Sequence, residues 1–218
     1  MCVMNKPLYY PKIPDSRDFP LGKCIAFEKL DGTNVHFDWN REHGWHAFGT
    51  RRDWFSWDQH GLELFEEIHP ELNQLAFAFT QTLAEGLQAK FVTDSRCSSW
   101  TEVRCFGEYF GPSSFAGRHR ADEEKRVVLF DVEADGRLLD PFEFVELFRE
   151  LPIARVVYQG KFSGSFTEAV RAGRFNVGEG VICKCGQRGN VHMAKIKTNA
   201  YLARLQESFG DKWREYWE

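Results

Sequence analysis

In Glu28-Lys29-Leu30-Asp31-Gly32-Thr33-Asn34 a lysine ends a strand-like run just before an Asp-Gly step. Alternation puts Lys29 on the face opposite Glu28 and Leu30, and Gly32 lets the backbone turn closely behind it. A lysine so placed is a nucleophile when desolvation or neighbouring cations depress its pKa. Taken alone, the motif has a commoner explanation, an exposed lysine before the tip of a hairpin. A second cluster lies far along the chain. Lys195 and Lys197 share one face of a strand, and Glu179 opens the strand before it in a hairpin. Two cations beside a carboxylate suit a phosphate and a hard divalent metal: the lysines neutralise phosphate oxygen, and Glu179 holds the cation directly or through water. A cross-strand ladder of salt bridges on a solvated face would give the same pattern.

The elements that must bring these segments together read as mixed strands and helices, without internal repeats or linker tracts. Residues 23–38 alternate β-branched and aromatic residues with polar ones, broken at Asp31-Gly32, which predicts a strand, a tight turn and a second strand. Helical periodicity over 69–88 places Leu72, Leu75, Ala76, Phe79 and Leu83 on one face, with Pro70 tolerated early. Residues 101–109 and 125–133 read as strands. Asp140-Pro141-Phe142-Glu143 is a capping box opening a helix that runs to about residue 150, and Ser165 with Glu168 repeats the signature before Gly173. Residues 179–185 and 191–198 form the hairpin. Residues 200–217 place Leu202, Leu205, Phe209, Trp213 and Trp217 on one helical stripe, packed on the body or docking a partner.

A chain of 218 residues can bury a real core as one domain. Its 20 Phe, 7 Trp and 6 Tyr exclude a collagenous or disordered chain. No run approaches the roughly 18 apolar residues of a spanning helix, and the first 19 residues lack a basic start followed by an apolar stretch. The expected location is the cytoplasm. Six cysteines, Cys2, Cys24, Cys97, Cys105, Cys183 and Cys185, are too scattered for a disulfide scaffold and read as reduced thiols. Cys183 and Cys185, on the face of Glu179, could ligate zinc with His192 across the hairpin, but fall short of a structural ligand set. His43, His46 and His60 lack companions. The net charge of -4 conceals an asymmetry: residues 151–200 hold eight Lys or Arg against Glu168 and Glu179 alone.

Taken together, these pieces resemble the covalent nucleotidyltransferase superfamily of ATP-dependent ligases and RNA capping enzymes. Lys29-Leu30-Asp31-Gly32 is similar to its Lys-x-Asp-Gly nucleophile motif. Phe106-Gly107-Glu108-Tyr109-Phe110-Gly111 resembles the third motif, and residues 127–132 resemble the strand that bears an adenine-stacking aromatic, here Phe130. Glu179-Gly180-Val181-Ile182 resembles the fourth motif and Lys195-Ile196-Lys197 the fifth. Five weak motifs in the right order make a strong signal. Within the superfamily, Tyr10-Pro11-Lys12-Ile13-Pro14, the Glu-Lys-x-x-Gly-Thr-Asn around Lys29, and Phe48-Gly49-Thr50-Arg51-Arg52 resemble the nick-sealing RNA ligase 2 group. Asn34 stands where DNA ligases usually place an arginine, which favours RNA.

The resemblance implies an α+β fold, an adenylyltransferase (ATP-grasp-like) domain of twisted antiparallel sheets flanked by helices. One nucleotidyltransferase domain would span 1–218, with 200–218 a C-terminal helix and no accessory domain beyond it. Lys29 would attack the α-phosphate of ATP and carry AMP, with Lys195 and Lys197 stabilising the phosphate and lowering the Lys29 pKa. Glu179 would bind Mg2+ or Mn2+, Glu108 the ribose, Phe130 the adenine face and Glu28 its amino group, with Asn34 also at the nucleotide. Arg51, or Arg52 in its place, would meet ribose and phosphates in the later steps; alternatively Arg52 and Asp53 simply pair at the surface. Trp54-Phe55-Ser56-Trp57 would stack on bases or serve as core or lid. The partners implied are RNA ends or a nicked duplex with a 5′-phosphate and a 3′-hydroxyl, with no membrane, and an accessory protein in place of the substrate-gripping domain. A minimal DNA ligase, a stand-alone adenylyltransferase and a non-catalytic RNA-binding module are the alternatives.

Overall fold

The structure is a computed structural model that describes residues 9–120, 122–187 and 189–216. In chain order the strands are β1 (Lys23–Lys29), β2 (Thr33–Asn40), β3 (Gly44–Thr50), β4 (Phe55–Ser56), β5 (Glu102–Phe110), β6 (Arg126–Ala134), β7 (Arg137–Leu138), β8 (Val156–Lys161), β9 (Gly180–Gln187) and β10 (Asn190–Lys197). The helices are α1 (Gln59–Ile68), α2 (Leu75–Phe79), α3 (Glu85–Thr93), α4 (Pro141–Phe148), α5 (Gly164–Arg171) and α6 (Asn199–Phe209). Two antiparallel sheets result, in the orders β10-β9-β1-β8 and β4-β3-β2-β5-β6-β7. The expected α+β architecture of antiparallel sheets flanked by helices is the one observed.

β1 shows why the sequence folds this way. Cys24, Ile25, Ala26 and Phe27 are all buried, so the strand is covered on both faces. Its even members pack with Phe166 and Val170 of α5 and with Val181, Cys183, Ala194 and Ile196. Its odd members, Ile25 and Phe27, join the larger core that the second sheet shares with α1 to α4. There Phe37 and Phe79 stack with ring centroids 3.6 Å apart. The parity carries on to Lys29, which therefore faces the cleft between the sheets.

Several expectations are corrected. β1 and β2 do not form a hairpin: β1 pairs with β8 and β9, β2 with β3 and β5, and Asp31-Gly32 is where the chain crosses between sheets. The helix expected over 69–88 is broken into a 3₁₀ turn at Pro70–Leu72, α2, a π-helical turn at Thr80–Ala84, and α3. Thr80 and Thr82 donate to the carbonyls of Ala76 and Ala78, a competition that loosens the regular ladder. The cap of α5 is Ser163, whose Oγ accepts from the Phe166 N–H, rather than Ser165. α4 keeps its Asp140 cap and ends at Phe148. The terminal helix stops at Gly210, whose φ of 52° starts a 3₁₀ turn over Gly210–Tyr216; Trp217 lies outside the described residues. No helix of the described residues is long and apolar enough to cross a membrane.

A buried ion pair ties the two sheets. Lys184 of β9 lies 2.7 Å from Asp131 of β6, with each side chain 2% exposed. Its Nζ also donates to the Phe130 carbonyl at 2.7 Å, and the Tyr10 hydroxyl donates to Asp131. Removing one member of such a pair leaves an uncompensated buried charge. Asp131→Asn should therefore cost about 3–5 kcal/mol of stability, read as a lower urea midpoint at an unchanged slope.

Candidate active site

Register assembles the charged centre. Lys29 of β1 and Lys197 of β10 both pair with Gly180 of β9, one from each side. Glu179, the next residue, thus lies between them. Its Oε2 is 2.8 Å from Lys29 Nζ and its Oε1 is 3.0 Å from Lys197 Nζ. A Cβ at position 180 would sit 2.0 Å from the Ile196 carbonyl oxygen, so only glycine lets the strands close here. Because Glu179 precedes β9, it turns into the cleft while Cys183 faces the other core. The shared face expected for Glu179 and the cysteines is not found, and among the described residues no group of three His, Cys, Asp or Glu is arranged to hold a metal.

The crossing between sheets is equally constrained. A Cβ on Gly32 would lie 2.3 Å from the Tyr109 carbonyl oxygen. The Gly32 N–H donates to Glu108 Oε1 at 3.0 Å, and Asp31 Oδ1 accepts from the Ala116 N–H at 2.7 Å. This puts Glu108 beside the Lys29–Gly32 segment although Glu108 lies 79 positions beyond Lys29 in the chain.

The electrostatics follow from burial among carboxylates. Burial disfavours the Lys29 ammonium, but Glu179, Glu108 and Asp31 outweigh it and raise the Lys29 pKa above the ordinary lysine value. The lowering expected from Lys195 and Lys197 is outweighed, because the charges that dominate at Lys29 are negative. Burial lowers the pKa of Lys197, with Glu179 opposing and Lys29 assisting. Burial pushes Glu108 up to about 7, Glu179 and Asp31 adding to the shift against Lys29.

A cavity of about 990 Å³ opens over this centre. Lys29, Lys195, Glu28, Asn34, Arg51, Arg52, Glu108 and Phe130 line it, while Glu179 and Lys197 are buried at its base. Asn34 Oδ1 is buried without a hydrogen-bond partner among the described residues, an acceptor shaped for something else. Glu28 reaches the cavity wall but is held by Arg155 Nε at 2.9 Å. Arg51 is committed to the amino-terminal segment, donating to the carbonyls of Tyr10 at 2.9 Å and Pro11 at 2.5 Å. Arg52 does not pair with Asp53, which instead accepts from Thr50 and faces His69. In the aromatic run, Phe55 and Trp57 belong to the core, and Trp54 is exposed.

Sequence reasoning therefore brings Lys29, Glu108, Asn34, Glu179, Lys195 and Lys197 to one place, with Glu28, Phe130 and the two arginines along its wall. It misses Arg155, His69 and the Asp131–Lys184 pair. Lys184 carried a usable signal, a lone lysine alternating into the buried face of a strand that is otherwise apolar.

The RNA ligase family matches residues 22–197, and the chain belongs to that family. A search of curated proteins finds no match. An archaeal ATP-dependent RNA ligase (form 2) superposes with a TM-score of 0.59 at 18% identity, covering 93% of this chain and 52% of that one. A Naegleria gruberi RNA ligase with PPi gives 0.54 at 18%, covering 85% and 52%. A lysine-to-alanine mutant of the Naegleria gruberi enzyme with ATP and Mn gives 0.56 at 17%, covering 90% and 58%. The chain spans about half the length of these structures, and at such identities the likeness is one of fold.

The charge balance is open to measurement without any substrate. Losing an adjacent carboxylate shifts a pKa by about 1–3 units, so Glu179→Gln should speed acetylation of Lys29 by about tenfold or more at fixed pH. Competitive labelling read by peptide mass, with exposed lysines as internal standards, measures this.

Proposed function

We propose that this chain is an ATP-dependent RNA ligase that works through a covalent lysyl-AMP intermediate. The observation that carries the reading is the Glu179 carboxylate gripped between Lys29 and Lys197 at the base of the cavity. Burying three charges together is a poor way to stabilise a fold, and a fitting way to handle a phosphate. Residues 9–216 act in this reading as one nucleotidyltransferase domain.

In the first step the neutral Lys29 amine attacks the α-phosphorus of ATP. An N–P bond forms, the bond to the β-phosphate oxygen breaks, pyrophosphate leaves, and the amine releases its proton. Lys195 and Lys197 neutralise charge on the phosphate. Phe130 stacks on adenine, Glu108 accepts from the ribose hydroxyls, and Glu28 receives the adenine amino group. In the second step an RNA 5′-phosphate oxygen displaces Lys29 from the AMP phosphorus. In the third a 3′-hydroxyl attacks that 5′-phosphate, and AMP leaves.

A divalent cation fits this donor set in one way. Glu179 has both oxygens engaged by lysines and, among the described residues, no protein cage surrounds it, so it would hold Mg2+ or Mn2+ as a single carboxylate with water and phosphate oxygens completing the shell. Bound there, the cation would neutralise phosphate charge. The ATP and Mn named for the Naegleria gruberi structure support this reading.

Incubation with ATP and a divalent metal, read by intact mass, should give a gain of one AMP that Lys29→Ala abolishes. Its rate at limiting ATP should rise from about pH 6 to about pH 9, because Lys29 must lose a proton that its raised pKa retains and Glu108 ionises near 7. No adduct, or an adduct that survives Lys29→Ala, would sink the mechanism. Sealing of 5′-phosphate nicks in RNA and DNA duplexes then decides the strand preference.

A further inference from the structure

Sheet order sets a direction across the cavity. Asn34 of β2 pairs with Glu108 of β5 on one side, and on the other its carbonyl accepts from the Arg51 N–H at 3.1 Å. With strands about 4.8 Å apart, Arg51 stands roughly 10 Å from Glu108, toward the β4 edge. Asp53 lies further along the same loop. Its Oδ2 accepts from Thr50 Oγ1 at 2.9 Å and from His69 Nε2 at 3.0 Å. A carboxylate accepts only, so Nε2 carries the proton, and in the neutral ring the lone pair is on Nδ1. Among the described residues Nδ1 makes no hydrogen bond; the nearest carboxylate, Glu71 Oε1, is 3.9 Å away. Phe55 and Phe65 brace the ring, with centroids 6.2 and 5.1 Å distant. Thr50, Arg52, Asp53, His69 and Glu71 all line the cavity that Lys29 enters.

An oriented, rigid acceptor and an exposed arginine in one polar wall match a ligand end that offers a hydroxyl donor beside a phosphate. We propose that Asp53 positions His69 to contact the acceptor strand: Nδ1 accepts a hydrogen bond from a hydroxyl of its terminal ribose, while Arg52 takes the neighbouring phosphate. The placement rests on the ligase reading, since the site lies in the nucleophile's cavity but beyond the groups assigned to the nucleotide.

Two measurements test it. An RNA already carrying AMP on its 5′-phosphate, offered with a 3′-hydroxyl strand and a divalent metal, isolates the last step. His69→Ala should slow this sealing by about tenfold or more and leave formation of the lysyl-AMP adduct from ATP within about twofold of wild type, with Asp53→Asn intermediate. Sealing at the wild-type rate, or equal loss of both reactions, overturns the proposal. Fluorescence anisotropy with two oligonucleotides, one ending in a ribose and one in a 2′,3′-dideoxyribose, needs no AMP transfer. The wild type should prefer the hydroxylated end by about threefold to tenfold, the worth of one hydrogen bond, and His69→Ala should lose the preference while still binding both. A preference absent in wild type or retained in His69→Ala overturns the contact. If wild type forms no adduct, the ligase reading falls and this comparison still decides the role of His69.

Discussion

One carboxylate shared by two ammonium groups governs the site. Glu179 satisfies Lys29 with one oxygen and Lys197 with the other, in a place where its side chain is 2% exposed. Removing charges from water is costly, and apolar residues of similar size commonly hold such a position at least as well. The arrangement makes sense as a store of charge for an anionic ligand. A phosphate entering between the lysines meets donors already desolvated and fixed, which is the condition under which electrostatic stabilisation is worth most. The same carboxylate helps raise the Lys29 pKa and so disfavours its neutral amine. In the proposed reaction the charge of the incoming phosphate must redistribute that balance before Lys29 attacks, which would couple reactivity to occupancy.

The fold supplies this centre through strand parity. β1 is buried on both faces, and its odd residues run Ile25, Phe27, Lys29 toward the cleft, from core into chemistry within one strand. β9 and β10 do the same, with Val181, Cys183, Ala194 and Ile196 turned to the second core while Lys184 and Lys195 face the cleft. A slip of one residue in any of these pairings would send the lysines into the apolar layer under α5. The Asp131–Lys184 pair guards against this from the side, because a shifted β9 would leave two charges buried without partners.

The candidate site is more legible in the sequence than the geometry that assembles it. Lys29, Glu108, Glu179, Lys195 and Lys197 could be named because each sits in a short pattern whose residue types have few other uses together. The split of β1 and β2 into different sheets was not legible. Asp31-Gly32 is ordinary hairpin chemistry, and only the crowding of Gly32 against Tyr109 reveals the crossing. The sign of the Lys29 shift was missed for a related reason: sequence order shows cations in the fifth motif, but the distances that decide the field belong to carboxylates from three separate segments. His69 was invisible because its partner Asp53 stands beside an arginine, and a neighbouring pair along the chain is the simpler guess.

The cavity wall also explains why the two arginines are not equivalent. Arg51 is spent on the carbonyls of Tyr10 and Pro11, so it fixes the amino-terminal segment against the end of β3. Arg52 is exposed and lines the opening, where a side chain can follow a ligand that arrives from solvent. The interior therefore grades from buried, mutually compensated charge around Glu179, through the Asn34 Oδ1 acceptor that has no partner among the described residues, to an exposed cation at the rim. Such a gradient fits the proposed ligation, in which a small nucleotide would be taken deep and held while a long polyanion would reach in with its end. Affinity for the polymer can then come from surface beyond the cavity, and the interior is left to align the reacting atoms.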